Sequence, residues 1–262
     1  MRALPVLLWA LLEALQPQTA AAASLQDGTV YAWGTDGALG EPPSEDGAPV
    51  EVTELDNAVA RVAAGKDHSV VLRSSGSVFT FGSGSWGQLG HGDRVARSTA
   101  TRVASSLIGS NVALVAAGSH FTTVVKLTGR QSSSGDGNQA WQLYAWGVND
   151  WGQLGIGSHS SAVYDSPRAV SSLSSVALAA GGSEQLTHVA ALVSGHRHTI
   201  AVMRDGRAYG WGANPTGALA RECPEPQTVA TAGCAVIRPE ALSLGGGVVA
   251  RAALGVFVAL HG

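Results

Sequence analysis

The 262-residue sequence has few charged side chains and lacks the common catalytic motifs. Charged residues make up 13% of the chain, and 16 Lys plus Arg stand against 19 Asp plus Glu without a basic run. Binding of nucleic acid through phosphate neutralisation needs a basic patch, so this balance argues against such a partner. The G-x-S-x-G, H-E-x-x-H and Walker motifs are absent. We therefore expect a protein that is not an enzyme and uses no cofactor.

Cysteine is also scarce. The chain has two, Cys223 and Cys234, in a proline-rich loop. Two cysteines without nearby paired histidines make a poor zinc site, so we predict no metal there. If the chain is secreted, a disulfide between Cys223 and Cys234 is the natural interpretation of the pair, and otherwise both are free thiols.

The one long apolar segment stands at the amino terminus. Met1 and Arg2 precede the apolar residues 3–15, and small residues follow up to Ser24, which is the pattern of a cleaved secretory signal. The apolar stretch is too short to span a bilayer comfortably, so we expect no stable membrane span. We predict a signal peptide over residues 1–23, a repeat domain over residues 24–262, and a secreted or secretory-lumen protein. A cytoplasmic protein is the alternative if residues 1–23 are not a signal.

Glycine and internal repetition are what the chain has in abundance. It contains 34 glycines, and an aromatic residue stands beside a glycine at positions 33, 81, 146 and 211. In three of these copies another glycine follows six residues after the aromatic, and two copies continue as Gly-Gln-Leu-Gly, at 87–90 and 152–155. Upstream, His68 and His198 each follow a glycine by three residues. A chain that repeats itself in this way is predicted to be a repeat protein.

Short apolar segments joined by turn residues lie between these marks. The segments His68–Arg73 and Ser77–Phe81 flank Ser75-Gly76, and Thr199–Arg204 and Arg207–Trp211 flank Asp205-Gly206. A two-residue turn of this type between β-rich runs indicates a hairpin. Each repeat is therefore predicted to be a β-meander in an all-β protein. Residues 128–142, rich in Ser, Gly, Asp and Asn, are expected to lengthen the hairpin turn of the second full repeat.

The repeated order Val-Ala-Ala-Gly-x-x-His, then Trp-Gly and Gly-Gln-Leu-Gly, then Pro-x-x-Val resembles the repeat of the regulator of chromosome condensation superfamily, from about Asp27 onward. The resemblance implies a β-propeller with one four-stranded antiparallel blade per repeat. The repeats lie near residues 27–60, 61–112, 113–190 and 191–247, with a half-repeat at 248–262, which makes about four blades where the family usually has seven. Two architectures stay open. One is a ring closed by pairing Ala250–Leu260 with the strand containing Val30–Trp33, and the other is an incomplete propeller with room for an oligomer.

Two kinds of repeat position are predicted to have different roles. Trp86 and Trp151 precede Gly-Gln-Leu-Gly in loops and are candidate anchors for a protein partner, with packing on the adjacent blade as the equal alternative. Trp141, in the inserted loop, is a further candidate. His196 and His198 would share a face on a strand and could hold a metal, but the repeat position of His198 favours a structural role. The positions assigned a structural role are Gly65, His68, Gly82, Gly87, Gly147, Gly152, Gly195, His198, Gly212 and Gly217.

We expect a non-catalytic propeller scaffold that binds a partner protein through loops at the blade rims. The resemblance also implies an alternative, a guanine-nucleotide exchange factor or adaptor for a small GTPase inside the cell, because the founding member of the family is such a factor. A binder of carbohydrate or another small ligand is a weaker alternative. The cellular compartment separates the first two functions.

Overall fold

The computed structural model describes residues 21–24, 29–33, 48–55, 58–131, 139–170, 189–204, 206–215, 217–219 and 235–242. The expected disulfide between Cys223 and Cys234 and the carboxy-terminal half-repeat at 248–262 lie outside these residues. No helix in the part of the chain that the structure describes has the length and hydropathy needed to cross a bilayer.

The described residues form fifteen β-strands in four antiparallel sheets, and each sheet keeps its strands in chain order. We call the sheets blades 1 to 4. Blade 1 has three strands and the others have four. The strands are β1 (Ala21–Ser24), β2 (Val30–Trp33), β3 (Val50–Glu51), β4 (Val59–Ala64), β5 (His68–Arg73), β6 (Val78–Gly82), β7 (Arg97–Arg102), β8 (Val112–Ala117), β9 (Phe121–Gln131), β10 (Gln139–Asn149), β11 (Ser160–Ala169), β12 (Val189–Ser194), β13 (His198–Met203), β14 (Ala208–Ala213) and β15 (Ala235–Ala241).

Consecutive blades touch mainly through their first strands. Strand β1 contacts β4, β4 contacts β8, and β8 contacts β12. The first strands are therefore the inner strands of the arc, and the blades follow one another as in a β-propeller. The predicted all-β fold and its meander repeats are confirmed. The strands β5 and β6 agree with the predicted segments to within one residue, because local alternation and turn residues define them.

Apolar residues from two consecutive blades fill the space between those blades. Val30 of blade 1 packs with Val71 and Phe81 of blade 2. Further along, a cluster from blades 2 and 3 includes Val70 and Trp146, and a cluster from blades 3 and 4 includes the residues Phe121, Leu143, Met203 and Trp211. Because burial of apolar surface is the main stabilising term, each blade is held by its neighbours.

The aromatic-glycine pairs mark a bulge in the third strand of blades 2 to 4. The register shifts between residues 80 and 82, 145 and 147, and 210 and 212. Gly147 has φ 109°, and a Cβ atom at this position would lie 2.3 Å from the carbonyl oxygen of His120. Gly212 stands in the same way against the carbonyl of Arg197. Glycine is required at the bulge because any side chain would collide with the turn of the same blade.

The alternative in which Ala250–Leu260 closes the ring beside Val30–Trp33 stays a prediction, because residues 250–260 lie outside the described part of the chain. Strand β2 pairs with β1 on one edge and with β3 on the other, with Ala22 opposite Ala32. A strand has two edges, so both edges of β2 are occupied by described strands, and β1 is the edge strand of blade 1. None of the described strands joins blade 4 to blade 1, and the described blades form an incomplete propeller.

The inserted segment also differs from its prediction. Strands β9 and β10 are eleven residues long, so they extend the hairpin into the region that was expected to be a loop. Trp141 lies within β10, pairs with Leu127, and packs partly buried against the core between blades 3 and 4. The polar composition of residues 128–142 gave no indication that backbone pairing continues into them.

Candidate partner-binding face

Three turns of equivalent position lie side by side at one end of blades 2 to 4. They join the first two strands of each blade, at residues 65–67, 118–120 and 195–197. The backbone N–H of Lys66 donates to the carbonyl oxygen of Ser119 at 3.1 Å, and the N–H of Ser119 donates to that of His196 at 3.2 Å. These hydrogen bonds fix the spacing of the turns. We call this end of the molecule the turn face.

The Gly-Gln-Leu-Gly loops belong to the same face, because Gln88 bonds Asp67 of the first turn and Arg197 of the third turn lies over Trp151. Gln88 Nε2 donates to Asp67 Oδ1 at 3.2 Å, and Gln153 Nε2 donates to Asp150 Oδ1 at 2.8 Å. The glutamine Oε1 atoms accept from the backbone N–H groups of Trp86 and Trp151, at 2.9 Å and 2.8 Å. Each glutamine is buried, so it holds both the loop and the orientation of the tryptophan before it.

A buried hydrogen-bond network connects blade 2 to blade 3 beneath this face. The carbonyl oxygen of Gln88 accepts from Thr122 Oγ1 and from Trp146 Nε1, both at 2.8 Å. His68 Nε2 lies 3.0 Å from Thr122 Oγ1. Because the threonine proton is used on Gln88, His68 must donate, which places its proton on Nε2. Burial, with a smaller contribution from His120, lowers the pKa of His68 to about 3, so the ring is neutral.

The equivalent network between blades 3 and 4 is weaker. Thr199 Oγ1 lies 3.5 Å from the carbonyl oxygen of Gln153, and the buried Nε1 of Trp211 makes no hydrogen bond in the described structure. The packing is nevertheless the same. A Cβ atom on Gly155 would lie 2.8 Å from Trp211 Nε1, and one on Gly90 would lie 2.6 Å from Trp146 Nε1. Glycine ends each loop because the indole of the next blade lies directly against it.

The two candidate tryptophans repeat one arrangement, in which an aromatic ring of one blade meets a base of the next. Trp86 is 47% exposed and its ring centroid lies 5.8 Å from that of His120. Trp151 is partly buried, and the Arg197 guanidinium lies over its ring at 5.8 Å. This distance is within the range of a cation–π contact. Each tryptophan ring is therefore partly packed against the adjacent blade and partly accessible to a partner.

An acidic residue accompanies each aromatic ring. Asp67 Oδ2 lies 3.7 Å from His120 Nε2, and Asp150 Oδ2 lies 3.8 Å from Arg197 Nη1. Partial burial lowers the pKa of His120, and Lys66, His196 and Arg197 lower it further against the opposing effect of Asp67. Both histidines of the face are therefore neutral near pH 7, because partial burial, Arg197 and Lys66 also lower the pKa of His196, against Asp150.

The structure does not bring the other candidates to this site. Trp141 lies towards the opposite end of blade 3, where the adjoining Leu127 N–H bonds the carbonyl of Asn111. His196 is exposed in the turn, whereas His198 begins β13 with its ring against Gly195, so the two do not share a face of one strand as the metal hypothesis assumed. No group of three His, Cys, Asp or Glu side chains suited to a metal occurs among the described residues.

Sequence reasoning missed the polar residues of the face. They are Lys66, Asp67, His120, Asp150 and Arg197. All but Asp150 fill the two variable positions of the Gly-x-x-His repeat or its equivalent, and Asp150 immediately precedes Trp151. Alignment of the repeats within the chain was the signal that could have found them.

Comparison with known proteins identifies the family. The Regulator of chromosome condensation (RCC1) repeat matches residues 27–72, 75–125 and 142–202, and a second description of the same repeat matches 59–88 and 189–217. These matches cover more than half of the chain, which belongs to the RCC1 repeat family.

Individual relatives agree with this assignment. The ultraviolet-B receptor UVR8 of Arabidopsis thaliana is 30% identical over 195 residues, which are 73% of this chain and 38% of the receptor. Protein pim1 of Schizosaccharomyces pombe is 29% identical over 199 residues, 73% of this chain and 32% of pim1. The chain thus spans less than two fifths of the length of these relatives.

Solved structures show the same fold. Prp20p from Saccharomyces cerevisiae, studied together with its binding to Gsp1p and histones, is 21% identical with a TM-score of 0.60 over 87% of this chain and 50% of Prp20p. Human WBSCR16 matches with the same identity and TM-score over 87% of this chain and 52% of its own.

The prediction of secretion was wrong. UVR8, pim1 and Prp20p are cytoplasmic or nuclear proteins, so the relatives contradict a secreted protein. They give no support to the signal peptide at residues 1–23 or to the disulfide between Cys223 and Cys234 that were predicted with it. The expected cleavage after residue 23 would also fall inside strand β1.

Proposed function

We propose that this protein is a non-catalytic scaffold whose turn face binds a partner protein, with Trp86 and Trp151 as the central anchors. The observation that carries the proposal is an arrangement that occurs twice, in which a tryptophan and an acid of one blade meet a base of the next blade. Tryptophan and arginine are the residues that most often dominate the free energy of protein association.

The rigidity of the face supports this role. The buried Gln88 and Gln153 hold the loops that carry the two tryptophans, and backbone hydrogen bonds hold the three turns. A preorganised surface loses little conformational entropy when a partner binds. Prp20p shares the fold and binds Gsp1p and histones, so a propeller of this kind can serve as a protein-binding surface. The 21% identity does not carry those partners over to this chain.

A photo-crosslinking amino acid at position 86 tests the proposal, and the same substitution at Leu107 is the control. Leu107 is 45% exposed, close to the 47% of Trp86, but it precedes β8 at the opposite end of the blade, where Val112 bonds the turn at Gly76. We expect a specific protein adduct from position 86 and none from position 107. Simultaneous Trp86→Ala and Trp151→Ala substitution should then weaken binding of the identified partner by roughly tenfold or more. Adducts from position 107 alone, or an unchanged affinity in the double variant, would contradict the proposal.

The exchange factor or adaptor for a small GTPase is the second candidate, and membership of the RCC1 repeat family favours it. A release assay with labelled guanine nucleotide on a purified small GTPase separates it from a plain scaffold. Acceleration of release by the chain would establish exchange activity, whereas binding of the GTPase without faster release would indicate an adaptor.

A further inference from the structure

Lys66 stands out on the turn face because its charge has no partner among the described residues. The residue is exposed in the turn between β4 and β5, and its ammonium makes no ion pair or hydrogen bond with the residues that the structure describes. Its backbone is nevertheless fixed by the bond to Ser119. An exposed ammonium whose backbone is fixed on the proposed binding face, with no partner among the described residues, is available for a ligand anion.

The acidic residues of the face are already occupied. Asp67 is bound by Gln88 and His120, and Asp150 is bound by Gln153 and Arg197. The charges of Lys66 and Arg197 act on His196 and, with His196 itself, lower the pKa of His120. Basic groups from three consecutive blades therefore lie within electrostatic reach of one another.

We propose that the turn face binds an acidic peptide segment of the partner protein, with a carboxylate of that segment received near Lys66 and His196 and with Trp86 and Trp151 contacting the same segment. The inference rests on the proposed function and specifies the chemistry of the partner. A carboxylate near Lys66 would pair with its ammonium, because Asp67 and Asp150 already accept hydrogen bonds from Gln88 and Gln153. The exposed Trp86 and the partly exposed Trp151 add contact area on either apolar or polar parts of the segment.

Nucleic acid is the competing anionic ligand, and the observations favour a peptide. In the three turns of the face, Lys66 and Arg197 are the permanent cations, Arg197 is engaged by Asp150, and the whole chain carries a formal net charge of -3. Binding to a phosphate backbone depends on several simultaneous cationic contacts. Binding of a single carboxylate needs only one cationic contact.

The proposal predicts coupling between binding and protonation. A carboxylate near His196 raises the pKa of that histidine and of His120, so binding takes up protons. The charged groups that face these histidines are Lys66 and Asp67 from the β4–β5 turn, Asp150 from the loop after β10, and Arg197 from the β12–β13 turn. Affinity should therefore increase as pH falls from 7 towards 5. This range lies above the pKa of glutamate side chains, about 4.3, so the peptide stays charged.

The test uses the full chain and a fluorescein-labelled peptide of six glutamates in an anisotropy titration, with Lys66→Gln and Lys126→Gln as matched variants. The chain has only these two lysines. Lys126 is the control because its Nζ donates to the Leu107 carbonyl at the opposite end of the blade. We expect Lys66→Gln to raise the peptide Kd by about fivefold, the equivalent of about 1 kcal/mol for an exposed ion pair. Lys126→Gln should leave the Kd unchanged, and His196→Gln should reduce the gain in affinity at low pH.

Three results would overturn the inference. They are an absence of peptide binding, an equal loss of affinity in both lysine variants, and binding of a six-residue thymidine oligonucleotide at least as tight as that of the peptide. The crosslink from position 86 keeps the two proposals separate. If that crosslink captures a protein whose affinity is unchanged by Lys66→Gln, the acidic segment is wrong and the partner-binding face stands; without a crosslink and without peptide binding, both fall.

Discussion

Trp146→Phe and Trp211→Phe form a matched pair that measures the hydrogen bond between blades 2 and 3. Both tryptophans are fully buried, both occupy the bulge of a third strand, and both lie under the closing glycine of a Gly-Gln-Leu-Gly loop. They differ in one contact. Trp146 Nε1 donates to Gln88 O at 2.8 Å, whereas Trp211 Nε1 has no hydrogen-bond partner in the described structure.

The magnitude follows from that difference. Replacing indole by phenyl removes a similar apolar volume at both sites and should cost about 1–3 kcal/mol in each case. Loss of a buried hydrogen bond adds about 1 kcal/mol at Trp146, although Gln88 O still accepts from Thr122. At Trp211 the substitution removes a buried N–H that has no partner, which carries no such cost. We therefore expect Trp146→Phe to lower the free energy of unfolding by about 1 kcal/mol more than Trp211→Phe.

Urea unfolding followed by far-UV circular dichroism provides the measurement, because this signal does not depend on the tryptophan removed. The m-values of the two variants should agree, so that the difference in midpoint reports stability alone. Equal losses in the two variants, or a larger loss for Trp211→Phe, would show that the bond to Gln88 contributes nothing beyond packing and would refute the reasoning.

Two further predictions concern the same interior. Gly155→Ala combines strain at φ 68° with a Cβ atom 2.8 Å from the Trp211 ring, whereas Gly217→Ala has strain at φ 76° and no described atom within 4 Å. Thermal unfolding should show a loss of about 1–2 kcal/mol for Gly217→Ala and a clearly larger one for Gly155→Ala. Equal losses would argue against the close approach. Burial holds the pKa of His68 at about 3, so below pH 6.5 the unfolded chain binds a proton that the folded chain does not. The free energy of unfolding therefore decreases as the pH is lowered. Between neutral pH and pH 5, titration of His68 should lower the free energy of unfolding of the wild type by about 2 kcal/mol, and His68→Gln should lack this decrease. Parallel pH profiles of stability for the two proteins would contradict this prediction.

The repeat sequence predicted the blades well because the information for them is local. Turn residues at 75–76 and the apolar runs beside them define β5 and β6 without reference to the rest of the chain. The turn-face contacts are different in kind. His68 meets Thr122 across 54 residues and Trp146 meets Gln88 across 58, so these pairs depend on how one blade is placed against the next.

Two misinterpretations have physical causes of the same type. The small residues up to Ser24 suggested a cleavage site, yet Ala21–Ser24 form β1 by pairing with β2, although alanine has a low preference for strands. Residues 128–142 suggested a loop because they are polar, yet β9 and β10 continue through part of them with backbone bonds that need no apolar side chain. In both cases pairing with a neighbouring strand overrides the local composition. The residues of one segment alone do not show which strand will pair with it.

The repeat contains positions fixed by packing and positions that vary, and this explains why the fold could be recognised more readily than the partner. The glycine and histidine of Gly-x-x-His are fixed by contact with each other, since a Cβ on Gly65 would lie 2.2 Å from the His68 ring. The two positions between them point towards the turn face and differ from blade to blade, as Lys66-Asp67, Ser119-His120 and His196-Arg197. Packing restricts the first pair and leaves the second free. In the proposed function, the choice of partner depends on these positions, which the fold does not determine, and a shared propeller then does not carry a shared activity.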